Sequence, residues 1–225
     1  SSYALTVEPK TALNKLIQTG KIAAPKDEVA QEHFAILVEM LDAVKNRFFE
    51  IAYATMHTTG QSFVMSFQAS GPHANDRALE VIAMGLQELS RFDADVNWVK
   101  NMGKFDLTIK KNFKPVSKGI GLVIGCSTFP TWNTVPGLYA DLITGNTAIV
   151  KPHPKAVYPI AIFIEELQKV LIDKGLDPNT VQLAADESAN PVSKKLAEHP
   201  SVTLIDYTGG SAFGNYIESL GKTCF

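Results

Sequence analysis

Two short apolar runs free of charge, IGLVI at 120–124 and TAIV at 147–150, are separated by a segment with helical spacing, and this pattern limits the fold more than any other feature of the chain. Ile120, Leu122, Val123 and Ile124 have Gly119, Gly121 and Gly125 around and among them, as expected of a central parallel strand covered on both faces. Pro130 and Pro136 punctuate a loop that runs into a helix with Leu138, Tyr139, Leu142 and Ile143 as its apolar positions, and Gly145-Asn146 ends it. The second run is closed by Lys151-Pro152. Two strands joined through a helix pair in parallel with a right-handed crossover, so both open on the same edge of the sheet. Open α/β sheets bind their ligands at that edge.

The alternation continues to the end of the chain. Ile160 to Leu171 has the spacing of a helix stopped by Gly175 and Pro178, and Val181 to Ala184 is a candidate third strand. A shorter helix over Val192 to His199 precedes Pro200, and VTLIDY at 202–207 is a fourth strand. Thr208-Gly209-Gly210-Ser211-Ala212-Phe213-Gly214 follows at once and leads into a helix through Leu220. A glycine-rich turn between strand and helix lets backbone N–H groups approach a phosphate, with the helix dipole favouring the negative charge. Such a turn serves tight packing as readily as phosphate binding, so the pattern does not decide alone.

Several motifs stand in order: Phe129-Pro130, GNT at Gly145 to Thr147, Lys151-Pro152, and TGG-x-x-x-G at Thr208 to Gly214. Together they resemble the coenzyme-binding half of the aldehyde dehydrogenase superfamily. MHTTGQ at Met56 to Gln61, GPHANDRALE at Gly71 to Glu80 and CSTFPTWN at Cys126 to Asn133 resemble its phenylacetic-acid-degradation branch more closely. The resemblance implies an α/β fold, a doubly wound parallel Rossmann-like sheet preceded by a helical N-terminal segment and an arm strand. It implies a dinucleotide cofactor, NADP or NAD, and an aldehyde substrate, either free or carried as a coenzyme A thioester. Lys151 is then the ribose contact, Phe129 lies in the segment lining the coenzyme cleft, and Thr208, Gly209, Gly210, Ser211 and Gly214 form the phosphate-side turn.

The chain departs from the family at three places. The glutamate that often follows the lysine three residues on is Pro154 here. Losing that carboxylate removes both a ribose acceptor and a charge that repels a 2′-phosphate, so the expectation leans towards NADP or loose discrimination. The oxyanion asparagine of the family aligns with Thr128, while Asn133 lies five residues later. Either Thr128 donates through its hydroxyl, or Asn133 reaches back, or the chemistry differs. Gly210 stands where the family has a serine, leaving backbone N–H groups and Ser211 on the pyrophosphate side.

The family's nucleophilic cysteine and general-base glutamate belong beyond the Gly214 helix, and the sequence ends at Phe225 before either. The expectation is therefore a coenzyme-binding portion, inactive on its own. Cys126 and Cys224 read as buried small hydrophobes, with Cys126 near the expected cleft, and two isolated cysteines indicate neither a disulfide framework nor a zinc site. The chain starts at Ser1-Ser2 without a methionine, as a fragment or processed product would.

Phe34, Leu37, Leu41, Val44, Phe48 and Ile51 predict one long amphipathic helix ending near His57 to Gly60, and a second runs from about Asp76 to Leu89. KFDLTIKKNFKP at 104–115 alternates with Phe105, Leu107 and Ile109 on one face, a half-exposed strand. The expected division is a helical part over 1–103, an arm strand over 104–117 that pairs between subunits of a homo-oligomer by resemblance, and a Rossmann-like part over 118–225. A net charge of −2 with dispersed signs leaves no nucleic-acid footprint, and no apolar run spans a bilayer or marks a leader, so a cytoplasmic address follows by default. Two further readings stay open beside the dehydrogenase: a dinucleotide-binding module without catalysis, and a ring-opening or hydrolytic protein of the same pathway.

Overall fold

The computed structural model describes residues 18, 19 and 28–225. Ser1-Ser2 and most of the first 27 positions of the expected helical part lie outside the described residues.

The uncharged run forms β3 (Ile120–Ile124), and it sits at the centre of a five-stranded sheet of order β5-β4-β3-β6-β7. Its neighbours are β4 (Thr147–Lys151) and β6 (Val202–Tyr207), with β5 (Val181–Leu183) and β7 (Thr223–Cys224) at the edges, and every pairing is parallel. Side-chain alternation divides this sheet into two cores. Val123, Ala148, Val150 and Val181 face one way, among residues of α1 (Glu28–Lys45), α2 (Phe48–Thr59), α4 (Pro72–Leu89), α5 (Pro130–Ile143) and α6 (Val157–Asp173). Leu122, Ile124, Val202 and Ile205 face the other way, against Ala197 of α7 (Ser193–Glu198) and Ile217 of α8 (Ser211–Ser219). The double winding expected from the sequence is therefore present. Each fully buried aliphatic side chain contributes about 1.5–3 kcal/mol.

The turn after α5 shows how the GNT motif registers these strands. Gly145 ends the helix at φ 79°, a conformation that disfavours any side chain. The buried amide of Asn146 then accepts from the backbone of Lys118 and Gly119 at 2.7 and 3.0 Å, which fixes the entry of β3 beside β4.

Four local expectations change. The long N-terminal helix is two helices, broken at Asn46-Arg47, where the Arg47 guanidinium turns to hold Glu50 of α2 and Glu165 and Glu166 of α6. A further helix, α3 (Phe63–Ser70), is capped by the Ser62 side chain, and α4 begins at Pro72, earlier than Asp76, because proline suits a first helical position. Pro136 lies inside α5, which starts at Pro130; no loop separates the two prolines. Finally, β2 (Asp106–Asn112) pairs antiparallel with β1 (Asp95–Asn101), a strand that periodicity did not predict. Trp98, Leu107 and Ile109 share one face of this ribbon and remain exposed.

Two carboxyls are enclosed between α5 and the sheet. Asp141 lies over Gly121 of β3, whose missing side chain leaves its space, and Asp206 of β6 lies likewise against Gly137 of α5. Burial, with the Asp206 carboxylate adding to it, pushes Asp141 up to about 7, and burial pushes Asp206 up to about 6. A folded-state value above the unfolded one (about 3.9) favours folding most at low pH, and that contribution is lost as pH rises through about 6 to 7. Asp141→Asn is therefore expected to raise the unfolding free energy read from urea titration at pH 8, by on the order of 2 kcal/mol relative to the parent, and to give no gain at pH 4. A midpoint difference independent of pH would contradict this.

Candidate functional site

Strand ends that run in parallel bring their following loops together, and two backbone bonds tie these loops directly. Gly125 N–H donates to the Lys151 carbonyl at 3.0 Å, and Thr208 N–H donates to the Ile124 carbonyl at 3.2 Å. The candidates from three separate segments thus meet at the C-terminal edge of β3, β4 and β6.

At the end of β3 the structure brings Thr128 and Asn133 together around Cys126. Asn133 Nδ2 donates to Cys126 Sγ at 3.1 Å, and Thr128 Oγ1 lies 3.3 Å from the same sulfur. The Thr128 carbonyl accepts from Gln61 Nε2, which joins this loop to the end of α2. Phe129 precedes α5 and meets the Trp132 ring edge-on at 5.6 Å. Cys126 and Cys224 are both half-buried, not the buried small hydrophobes expected. Burial alone would raise the Cys126 thiol. The Thr128 hydroxyl, the Phe129 N–H, the Asn133 amide and the Thr128 N–H together hold it below the usual cysteine value.

At the end of β4, Lys151 is nearly covered. Its Nζ lies 2.7 Å from Asp186 Oδ1, with the two side chains 5% and 1% exposed. Sequence reasoning missed Asp186, which sits in the AADES stretch after β5 without any motif; its signal was only an acidic side chain beside a strand end. Pro154 follows with no side-chain acceptor, and His153 Nδ1 accepts from the Lys155 N–H.

At the end of β6 the glycines have different reasons. A side chain on Gly209 would meet the Tyr207 hydroxyl at 2.2 Å, and that hydroxyl donates to the Gly210 carbonyl, so Gly209 serves close packing. Gly210 has open space around its Cβ position and precedes α8 with no side-chain cap. The first N–H groups of α8, from Ser211 onward, are left to the solvent side, while Gly214 N–H bonds back to Gly210. That open, uncapped helix start is chemically suited to an anionic group such as a dinucleotide's pyrophosphate.

Fold and edge together define an open α/β sheet protein with a nucleotide-type ligand edge. The sequence profile of the Aldehyde dehydrogenase family matches residues 9–224, and the chain belongs to that family. It is similar to the NAD-dependent aldehyde dehydrogenase of Burkholderia multivorans, with 43% identity and a TM-score of 0.82 over 97% of this chain and 39% of that one. It is also similar to the 1-pyrroline-5-carboxylate dehydrogenase of Geobacillus thermodenitrificans, 23% identical over 88% of this chain and 44% of that protein. The corresponding Bacillus subtilis enzyme is 32% identical over 43% of this chain and 18% of its own length. The chain thus spans less than half the length of these relatives.

The two cysteines should differ in reactivity. Burial and the Glu218 carboxylate push the Cys224 thiol up, against the opposing Lys222 charge. Brief alkylation at neutral pH, read by peptide mass spectrometry, is expected to modify Cys126 well before Cys224, and Asn133→Ala to slow the Cys126 reaction several-fold. Equal labelling of both thiols would mean that the contacts to Cys126 Sγ do not activate it.

Proposed function

We propose that this chain is the coenzyme-binding portion of an NAD(P)-dependent aldehyde dehydrogenase, and that its aldehyde is an intermediate of phenylacetate breakdown. The observation that carries the first part is the uncapped start of α8 beside the strand edge that also bears Lys151. Lys151 would hold the adenosine ribose, the N–H groups at Ser211 and beyond would hold the pyrophosphate with Thr208, Gly209, Gly210 and Gly214 shaping the turn, and Phe129 would wall the cleft. When bound, the nicotinamide supplies a hydride acceptor. The residues of this chain bind and orient; Thr128 and Asn133 are the donors available to an oxyanion. The nucleophile and general base would come from the rest of the protein, so the chain alone binds without turnover.

The phenylacetate reading is supported by CSTFPTWN, MHTTGQ and GPHANDRALE, and the edge-on Phe129–Trp132 pair places aromatic surface on the loop that carries Cys126. A coenzyme A thioester of such an aldehyde is within this proposal. One observation favours a second reading, a dinucleotide-binding module without catalysis: both candidate oxyanion donors are turned onto the Cys126 sulfur.

Lys151→Ala is expected to weaken dinucleotide binding at least tenfold by equilibrium titration, and aldehyde with coenzyme is expected to give no reduced coenzyme from the chain alone. Unchanged affinity would remove Lys151 from the site, and steady turnover would refute the need for a distant nucleophile.

The β1–β2 ribbon is proposed as an arm that pairs between subunits of a homo-oligomer, supported by its exposed apolar face and open edges. Leu107→Lys with Ile109→Lys is expected to lower the mass measured by light scattering. An unchanged mass in a folded variant would exclude the ribbon from the interface.

A further inference from the structure

We propose that Asp186 sets the preference of this site towards NAD over NADP, by holding a fixed negative charge against the ammonium of Lys151. The inference rests on the coenzyme-binding reading above and adds to it the residue that separates the two dinucleotides.

Asp186 is fixed by its backbone surroundings. The strand β5 lies beside β4, and the loop leaving it is rooted by the Ala184 N–H on the Val150 carbonyl at 2.8 Å. Glu187 and Asn190 close the next turn through a backbone bond of 2.9 Å, and Val192 N–H donates to Asp186 Oδ2 at 2.9 Å. The other oxygen, Oδ1, faces Lys151 Nζ at 2.7 Å and receives no well-directed hydrogen bond. A buried acceptor with unused capacity therefore stands beside the lysine.

The two dinucleotides differ by one group on the ribose. NAD presents a 2′-hydroxyl, which can donate to a carboxylate, whereas NADP presents a phosphate carrying between one and two negative charges at neutral pH. A lysine whose partner is an acid already in contact offers that phosphate little net attraction, and the carboxylate repels it at short range. The other cation near this strand end, Lys155, is exposed, where solvent screens it. Pro154 supplies no carboxylate, and that absence led the sequence to be read towards NADP. The acid arrives instead from the neighbouring strand's loop.

The test is an equilibrium titration of the purified protein carrying this chain with NAD⁺ and with NADP⁺. The unmodified protein is expected to bind NAD⁺ at least about tenfold more tightly, and Asp186→Asn to narrow that ratio about tenfold or more, chiefly through tighter NADP⁺ binding. A merely structural role would weaken both dinucleotides alike and leave the ratio where it was. An unchanged ratio in a variant with the parent's circular dichroism overturns the proposal, and so does equal or tighter NADP⁺ binding by the unmodified protein. Asp186→Ser serves as the second variant if the asparagine does not fold. Binding of neither dinucleotide by the unmodified protein would instead defeat the coenzyme-binding reading itself.

Discussion

The uncharged strand β3 has to be buried on both faces, and most of the architecture follows from that demand. Val123 must face one layer of helices, and Leu122 and Ile124 must face another, so chain has to cross from strand to strand over both sides of the sheet. Right-handed crossovers then run the strands of this sheet in parallel, and parallel strands end on one edge. Loops that are far apart in sequence, at 125–129, 151–155 and 208–214, become neighbours there and are tied by backbone bonds. The ligand edge is a by-product of covering a hydrophobic strand.

Elements whose burial is uniform were legible in the sequence, and elements whose role depends on a neighbour were not. The strands at 120–124, 147–151 and 202–207 carry their apolar content openly, and each formed where it was expected. The break at Asn46-Arg47 leaves no trace in the apolar spacing, because Phe48 and Ile51 continue the stripe while the arginine is drawn towards Glu165 and Glu166 of another helix. Strand β1 was hidden for a similar reason. Its residues DVNWVKN alternate weakly, and only pairing with β2 gives them a common face.

The candidate site shows the same division. Lys151 and the Thr208 to Gly214 turn could be found because their neighbours in sequence form a motif. Asp186 could not, since its partner is a lysine across a strand pairing, and a single acid in a loop resembles any other. Thr128 and Asn133 were read as competing donors. In the folded chain they converge on one sulfur, a relation that their spacing did not contain.

The glycine cradles under Asp141 and Asp206 have a consequence for how such a sequence can drift. A Cβ at position 121 would fall 1.9 Å from an Asp141 oxygen, and one at 137 would fall 2.3 Å from an Asp206 oxygen. A side chain at either glycine would force its acid to shift, whereas loss of the acid frees that space. The residues are therefore sterically coupled as pairs, 121 with 141 and 137 with 206. Because Gly137 and Asp141 lie one helical turn apart on α5, the two pairs also lock the helix against sliding along the sheet, as two pegs fix a bar that one would let pivot.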